Sequence, residues 1–139
     1  MDKLNAPFRY DIVGSFLRPE AIKTARAQYA QGQITLDRLR DVEDVEVAKL
    51  IERQKAAGLH AVTDGEFRRS YWHLDFMWGL NGIERRTSRT GYMFHDEETT
   101  ADTAVVTGKI SGENHPFVEH FKFVKALEED GQTARQTIP

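Results

Sequence analysis

The chain has 139 residues, of which 40% are hydrophobic and 29% are charged, with a formal net charge of −3 and no cysteine. This length suffices for one domain with a hydrophobic core, and the nearly balanced charge argues against nucleic acid or anionic membranes as partners. Without cysteine there are no disulfides or thiolate metal ligands, and no apolar stretch approaches the ~20 residues that span a bilayer. The N-terminus also lacks the apolar core of a signal peptide, so we predict a cytoplasmic protein.

The first predicted element is a strand over residues 8–13, which ends at Gly14 and Ser15. Pro19 suits the first position of a following helix, and Gly32 ends that helix. The pattern is that of a strand whose end carries polar residues and leads directly into a helix.

A longer helix is predicted from a cap at Thr35 to about Ala57. Apolar residues lie on one face of this helix at helical spacing, although Glu43 and Gln54 interrupt them. Gly58 stops the helix, and a second strand of four or five buried residues follows at once. A strand, two helices and a strand joined in this way imply parallel strands with a right-handed crossover.

The remaining predicted elements are a β-hairpin of residues 83–95 and 103–110 with its turn at 96–100, a helix from Pro116 to Gly131, and a strand at 133–138. Three parallel strands with their helices fall well short of a closed (β/α)₈ barrel, which takes roughly 250 residues. We therefore expect an α/β fold that is the N-terminal part of a single TIM barrel domain over residues 1–139. The barrel would be incomplete in this chain and would carry the hairpin as an insertion.

Polar residues follow the first two predicted strands, at the end where α/β proteins bind ligands. Gly14 lets backbone approach a ligand closely, and Ser15 offers a hydroxyl and an amide N–H to a carboxylate. Glu66, when ionised, accepts hydrogen bonds from an ammonium group. Together these residues predict a site that holds both ends of an α-amino acid.

A structural alternative stays open for the same residues. In it the serine caps the following helix, while Asp64 and Glu66 pair with Arg68 and Arg69. If the ligand site is correct, Asp64 has a supporting role, in which it orients Glu66 or caps its turn. Arg18 and Arg68 are then further supporting residues, able to neutralise an anionic ligand or to form salt bridges.

Two short motifs carry a resemblance to a known family. The first motif is Ile-Val-Gly-Ser-Phe at residues 12–16, and the second motif is Asp-Gly-Glu-Phe-Arg at residues 64–68. Together they resemble the catalytic domain of cobalamin-independent methionine synthases, especially the short relatives with a single barrel. The resemblance implies a zinc-dependent methyltransferase of methionine biosynthesis on a TIM barrel. Such an enzyme, a 5-methyltetrahydropteroyltriglutamate–homocysteine S-methyltransferase, transfers a methyl group from a polyglutamylated 5-methyltetrahydrofolate to the thiol of homocysteine.

By this resemblance, Ile12, Gly14, Ser15 and Glu66 bind the amino-acid part of homocysteine. Asp64 stands where long members of the family have histidine. The family's zinc ligands are His, Cys, Glu and Cys from the second half of the barrel, and this chain has no cysteine. We therefore expect no catalytic residue and no metal ligand in this chain, which would be inactive alone and would hold zinc only as part of the complete enzyme.

Two other functions stay open. One is a related zinc-dependent thiol alkyltransferase that acts on another thiol, such as coenzyme M, which has no ammonium group for Glu66 to bind. The other is a non-catalytic binding or assembly module, which would bury its strand edge by self-association. Self-association is also expected if the barrel is truncated.

Overall fold

The computed structural model describes residues 12–88 and 101–139, together with the backbone of residues 93–94 and 97–98. The chain forms two compact units. The first unit contains the described residues up to Arg69 and Glu119–Thr137, and the second contains the described residues of Ser70–Val118 and Ile138–Pro139. In chain order the elements are α1 (Glu20–Ala30), α2 (Leu36–Ala56), β1 (Ala61–Val62), α3 (Leu74–Trp78), β2 (Asn81–Thr87), β3 (Met93–Phe94), β4 (Glu97–Glu98), β5 (Asp102–Ser111), α4 (Pro116–Ala126) and β6 (Thr133–Ala134). The predicted mixed α/β class is confirmed.

The two long helices begin and end close to their predicted limits. Thr35 caps α2, since its hydroxyl accepts a hydrogen bond from the Arg38 N–H at 3.2 Å. Gly58 follows α2 with φ at +76°, the left-handed conformation that commonly terminates a helix. Pro19 is the N-cap of α1 rather than its first helical residue.

The core of the first unit is built from α1, α2, β1 and α4. Its fully buried members are Ile22, Val47, Ile51, Val62 and Val124. Val47 and Ile51 are four residues apart and therefore lie on one face of α2. Each such side chain contributes roughly 1.5–3 kcal/mol by leaving water.

The second and third predicted strands are present as a parallel pair, but each is shorter than predicted. In the register of β1 and β6, Ala61 lies opposite Thr133 and Val62 lies opposite Ala134. Of the first predicted strand, residues 8–11 lie outside the described residues, and Ile12 and Val13 belong to no strand. The described strands do not form a barrel, so the TIM barrel stays a prediction.

The predicted hairpin forms in the second unit, where β2 and β5 pair in antiparallel fashion. Its first strand ends at Thr87 instead of reaching residue 95. Two residues of the predicted turn, Glu97 and Glu98, form β4 and pair with β3. The turn prediction was wrong at these positions because polar side chains do not prevent strand pairing, which depends on the context of the residues in the fold.

The last helix begins at Pro116 as predicted, but it ends at Ala126, well before Gly131. Gly131 has φ at +83° and lies in the turn that precedes β6. Within residues 12–88 and 101–139, no helix combines the length and the apolar character that a membrane span requires.

Candidate substrate-binding site

The two motifs lie side by side in the first unit. The Phe16 N–H donates a hydrogen bond to the Gly65 carbonyl oxygen at 3.1 Å. Because Ser15 precedes Phe16 and Glu66 follows Gly65, this bond brings the two predicted ligand-binding residues to neighbouring stretches of backbone. The fold therefore places the first motif and the second motif next to each other, although they are about 50 residues apart in sequence.

The second motif forms a tight turn directly after β1. Gly65 and Glu66 have φ angles of +64° and +59°, and for Glu66 this left-handed conformation costs roughly 1–2 kcal/mol. Two local hydrogen bonds offset that cost. The Asp64 Oδ1 accepts the Glu66 N–H at 2.9 Å, and the Thr63 hydroxyl accepts the Gly65 N–H at 3.0 Å. Asp64 thus caps the turn that holds Glu66, and strain of this kind is concentrated at functional sites.

Two arginines donate to the carbonyl groups of this turn. Arg18 Nη2 lies 3.1 Å from the Glu66 carbonyl oxygen and 2.7 Å from that of Arg69. Arg26, on α1, donates to the Arg69 carbonyl at 2.9 Å and to the Phe67 carbonyl at 2.7 Å. Buried carbonyls outside regular structure need such donors, so both arginines stabilise the turn.

The residue Glu66 is 5% exposed, and the two oxygens of its carboxylate differ in their surroundings. Oε1 accepts a hydrogen bond from the Thr137 hydroxyl at 3.0 Å and lies 3.6 Å from Arg69 Nη1. Oε2 accepts no hydrogen bond from the residues that the structure describes. The protein thus holds one oxygen, and the other retains its capacity to accept a hydrogen bond from a ligand.

Asp64 is only 2% exposed. Burial raises the pKa of its carboxyl, and the Glu66 N–H and the charges of Arg69 and Arg68 oppose that rise.

The structural alternative, in which Asp64 and Glu66 pair with Arg68 and Arg69, is found in part. Glu66 pairs with Arg69, whereas Arg68 pairs with other acids.

Those acids lie on α2. Arg68 Nη2 lies 2.5 Å from Asp44 Oδ1, and its Nη1 lies 3.6 Å from Glu43 Oε2. The guanidinium also stacks over the Phe123 ring at 5.2 Å. Glu43 is buried, and burial raises its pKa despite the charges of Arg68 and Arg26. Arg68 therefore holds α2 and α4 to the second motif, through a buried pair with Glu43 and a partly exposed pair with Asp44.

The first motif is more open. Gly14 has φ at +93°, and a Cβ there would meet no atom of the described residues beyond its chain neighbours within 4 Å, so its requirement for glycine is conformational. Ser15 is exposed and its hydroxyl bonds to no described residue. Because the N-cap of α1 is Pro19, the alternative in which Ser15 caps that helix is wrong. The Ile12 carbonyl accepts a hydrogen bond from Arg135 at 2.9 Å.

Two residues that support the site, Thr137 and Gln54, escape prediction as site residues. The Gln54 amide lies in the core and bonds to both backbone groups of Thr63, donating to its C=O at 2.9 Å and accepting from its N–H at 3.0 Å. Its signal in the sequence was the interruption of an apolar helix face. Thr137 gave no such signal.

The described part of the chain contains no group of three or more His, Cys, Asp and Glu side chains that could hold a metal ion. The sequence as a whole has no cysteine. The described residues, and a sequence without cysteine, therefore do not fit the cysteine-containing zinc centre that the resemblance implies.

Comparison with known proteins agrees with the resemblance. The family described as cobalamin-independent synthase, catalytic domain, matches residues 9–132. The uncharacterized proteins YxjG and YxjH of Bacillus subtilis are 43% identical over 139 residues and 44% identical over 134 residues, which is 100% and 96% of this chain. The 5-methyltetrahydropteroyltriglutamate–homocysteine methyltransferase of Thermotoga maritima is 24% identical over 129 residues, covering 92% of this chain and 17% of that protein.

Two solved structures share the fold. One is a Listeria monocytogenes protein provisionally assigned as a vitamin-B12-independent methionine synthase, with a TM-score of 0.77 and 42% identity over 96% of this chain and 36% of that one. The other is a B12-independent methionine synthase of Shewanella in complex with selenomethionine, with a TM-score of 0.51 and 24% identity over 73% of this chain and 29% of that one. The chain spans about a third of the length of the two Bacillus relatives, at 36% and 35%.

Proposed function

Because the chain belongs to the cobalamin-independent synthase family, we propose that it carries part of the substrate site of a homocysteine methyltransferase. The reaction is transfer of a methyl group from a polyglutamylated 5-methyltetrahydrofolate to the thiol of homocysteine, which gives methionine. In the full-length enzyme this chain forms the N-terminal part of a TIM barrel. The zinc that the resemblance implies is then held by residues outside this chain.

The observation that carries the proposal is the state of the Glu66 carboxylate. It is buried, its backbone is strained, and one of its oxygens has no partner among the described residues. An ionised carboxylate in such a place needs positive or hydrogen-bonding partners. The ammonium group of an amino acid supplies both, through a charge-assisted hydrogen bond that is about twice as strong as a neutral one.

The other end of the amino acid is assigned to the first motif. Ser15 is exposed and its hydroxyl has no described partner, and the Phe16–Gly65 hydrogen bond holds this segment beside the turn of Glu66. We assign the substrate carboxylate to Ser15 and to the backbone of Ile12 and Gly14. Homocysteine would then be held at both ends of its head group, with its thiol free to reach the methyl donor.

Substitution of Glu66 by glutamine in the full-length protein tests this assignment. Because glutamine has no charge, we expect the KM for homocysteine to rise about 10- to 100-fold. Steady-state kinetics measure the change, and Glu52→Gln, at an exposed position of α2, is the matched control. Near-normal homocysteine kinetics in Glu66→Gln would sink the assignment.

The choice of thiol distinguishes this function from its relatives. Homocysteine and 2-mercaptoethanesulfonate are compared as methyl acceptors, because only the first has an ammonium group for Glu66. Turnover of the sulfonate thiol in preference to homocysteine would indicate another thiol alkyltransferase. Homocysteine binding without turnover by the full-length protein would indicate a binding module.

A further inference from the structure

We propose that Thr137 is a positioning residue, which together with Arg69 orients the Glu66 carboxylate for the substrate ammonium group. This inference rests on the proposed function of Glu66. It adds to the site a residue that lies 71 positions away in sequence and belongs to neither motif.

The chemistry of the three groups fixes the direction of their hydrogen bonds. The Thr137 hydroxyl oxygen lies 3.0 Å from Arg69 Nη2 and 3.0 Å from Glu66 Oε1. A guanidinium can only donate, so the hydroxyl accepts from Arg69. Its single proton is then directed to Glu66 Oε1. These two hydrogen bonds fix the orientation of the Thr137 hydroxyl, which could otherwise rotate about its C–O bond.

Arg69 is itself held firmly. It is 2% exposed, its Nη2 also donates to the Thr137 carbonyl oxygen, and its own carbonyl accepts from Arg18 and Arg26. Its Nη1 lies 3.6 Å from Glu66 Oε1. The positive charge therefore acts on the same carboxylate oxygen as the Thr137 hydroxyl.

The consequence is an asymmetric carboxylate. Oε1 is occupied by Thr137 and Arg69, which leaves Oε2 as the oxygen offered to a ligand. A binding group held this way loses little conformational entropy when the ligand arrives, so its position contributes to affinity. The Thr137 hydroxyl bonds only to Glu66 and Arg69 among the described residues, which makes it a specific probe of this arrangement.

The test compares Thr137→Val with Thr137→Ser in the full-length protein. Valine keeps the shape and removes the hydroxyl, whereas serine keeps the hydroxyl. Two thiols are used: homocysteine and 4-mercaptobutanoate, which lacks only the ammonium group and serves as substrate or as competitive inhibitor. For Thr137→Val we expect the KM for homocysteine to rise about 3- to 10-fold, the effect of one hydrogen bond, with little change in kcat. Binding of 4-mercaptobutanoate should be unchanged, and serine should behave like the wild type.

Loss of affinity for both thiols in equal measure would overturn the inference, because it would indicate general damage to the site. Unchanged discrimination between the two thiols in Thr137→Val would overturn it as well. Thr137→Ala, which also lacks the hydroxyl, replaces the valine variant if that protein does not fold.

Glu66→Gln in the same assay separates the two proposals. If it abolishes discrimination while Thr137→Val keeps it, the positioning role fails and the function proposed for Glu66 stands. If neither variant changes discrimination, both proposals fail. If both proposals are correct, the variant that carries Glu66→Gln and Thr137→Val discriminates between the two thiols no worse than Glu66→Gln alone, since Thr137 acts only through Glu66.

Discussion

The hydrogen bond from the Phe16 N–H to the Gly65 carbonyl oxygen, at 3.1 Å, ties the loop before α1 to the turn after β1. Gly65 makes this approach possible. An added Cβ would lie 2.4 Å from Leu50 Cδ2 and 3.2 Å from Phe16 Cδ2, and the φ angle of +64° is itself unfavourable for any other residue. Space and conformation therefore both require glycine at the centre of the candidate site.

Gly65→Ala should lower the free energy of unfolding by about 2–5 kcal/mol, from roughly 1–2 for the left-handed conformation and roughly 1–3 for overpacking. Gly32→Ala is the matched control, because its φ is +71° but, among the described residues beyond its chain neighbours, nothing lies within 4 Å of the added Cβ. It should show only the conformational part. Urea denaturation measures both, and equal losses would contradict the close packing at Gly65.

Gln54→Leu should destabilise the fold through the backbone of Thr63. The substitution leaves the N–H and C=O of Thr63 without partners in the core, at about 1–3 kcal/mol for each unsatisfied group. Glu52→Gln, an exposed change on the same helix, should alter stability by less than about 0.5 kcal/mol. Thermal or urea unfolding compares the two variants. A loss no larger in Gln54→Leu than in the control would show that water or a backbone shift replaces the lost bonds.

The helices were predictable from the sequence because their signals are local. The cap at Thr35 and the stop at Gly58 act within a few residues, so the limits of α2 follow from the sequence alone. The lengths of β1 and β6 did not follow, because pairing between residues such as Val62 and Ala134 depends on the whole fold. Strand propensity is set largely by such context.

The candidate site was likewise predictable only where its signals are local in the sequence. Polar residues at strand ends indicated Ser15 and Glu66, and the structure brings their segments together. Thr137, the hydrogen-bond donor to Glu66, could not be predicted, because no sequence pattern around Thr137 indicates that its hydroxyl reaches a distant carboxylate. Glu43 and Gln54 were predictable only in part. The sequence shows that they interrupt the apolar face of α2, but it does not show which groups they contact.

Arg68→Met should be strongly destabilising because it leaves Glu43 buried with less positive charge nearby. Removal of one partner of a buried ion pair typically costs about 3–5 kcal/mol, and the remaining Arg26, 3.7 Å from Glu43, places the expected loss at the lower end. Lys122→Met, which breaks an exposed pair with Glu119, should cost about 1 kcal/mol or less. Urea denaturation measures both losses.

A second substitution shows whether the loss arises from the charge of Glu43. Glu43→Gln in the Arg68→Met background removes the uncompensated carboxylate and should restore part of the stability. If the double variant is less stable than Arg68→Met alone, the stacking of Arg68 on Phe123 and its bond to Asp44 matter more than the charge.

Asp64 should make stability fall as the pH rises. Burial raises the pKa of its carboxyl above the ordinary value of 3.8, so the native state binds this proton more tightly than the unfolded state does. The contribution is complete below pH 3.8 and is lost as the pH rises through the raised native value. Asp64→Asn does not titrate there, and its amide oxygen can still accept the Glu66 N–H.

The free energy of unfolding of the wild type, minus that of Asp64→Asn, should therefore decrease as the pH is raised from about 4 to 7. Urea denaturation of the two proteins at a series of pH values measures this difference, in which the titration of groups that do not interact with Asp64 cancels. A difference that grows with pH would mean that Arg69, Arg68 and the Glu66 N–H outweigh burial and lower the pKa of Asp64. In that case Asp64 would stabilise the turn of Glu66 as an ionised carboxylate, and the Asn variant should then also weaken homocysteine binding.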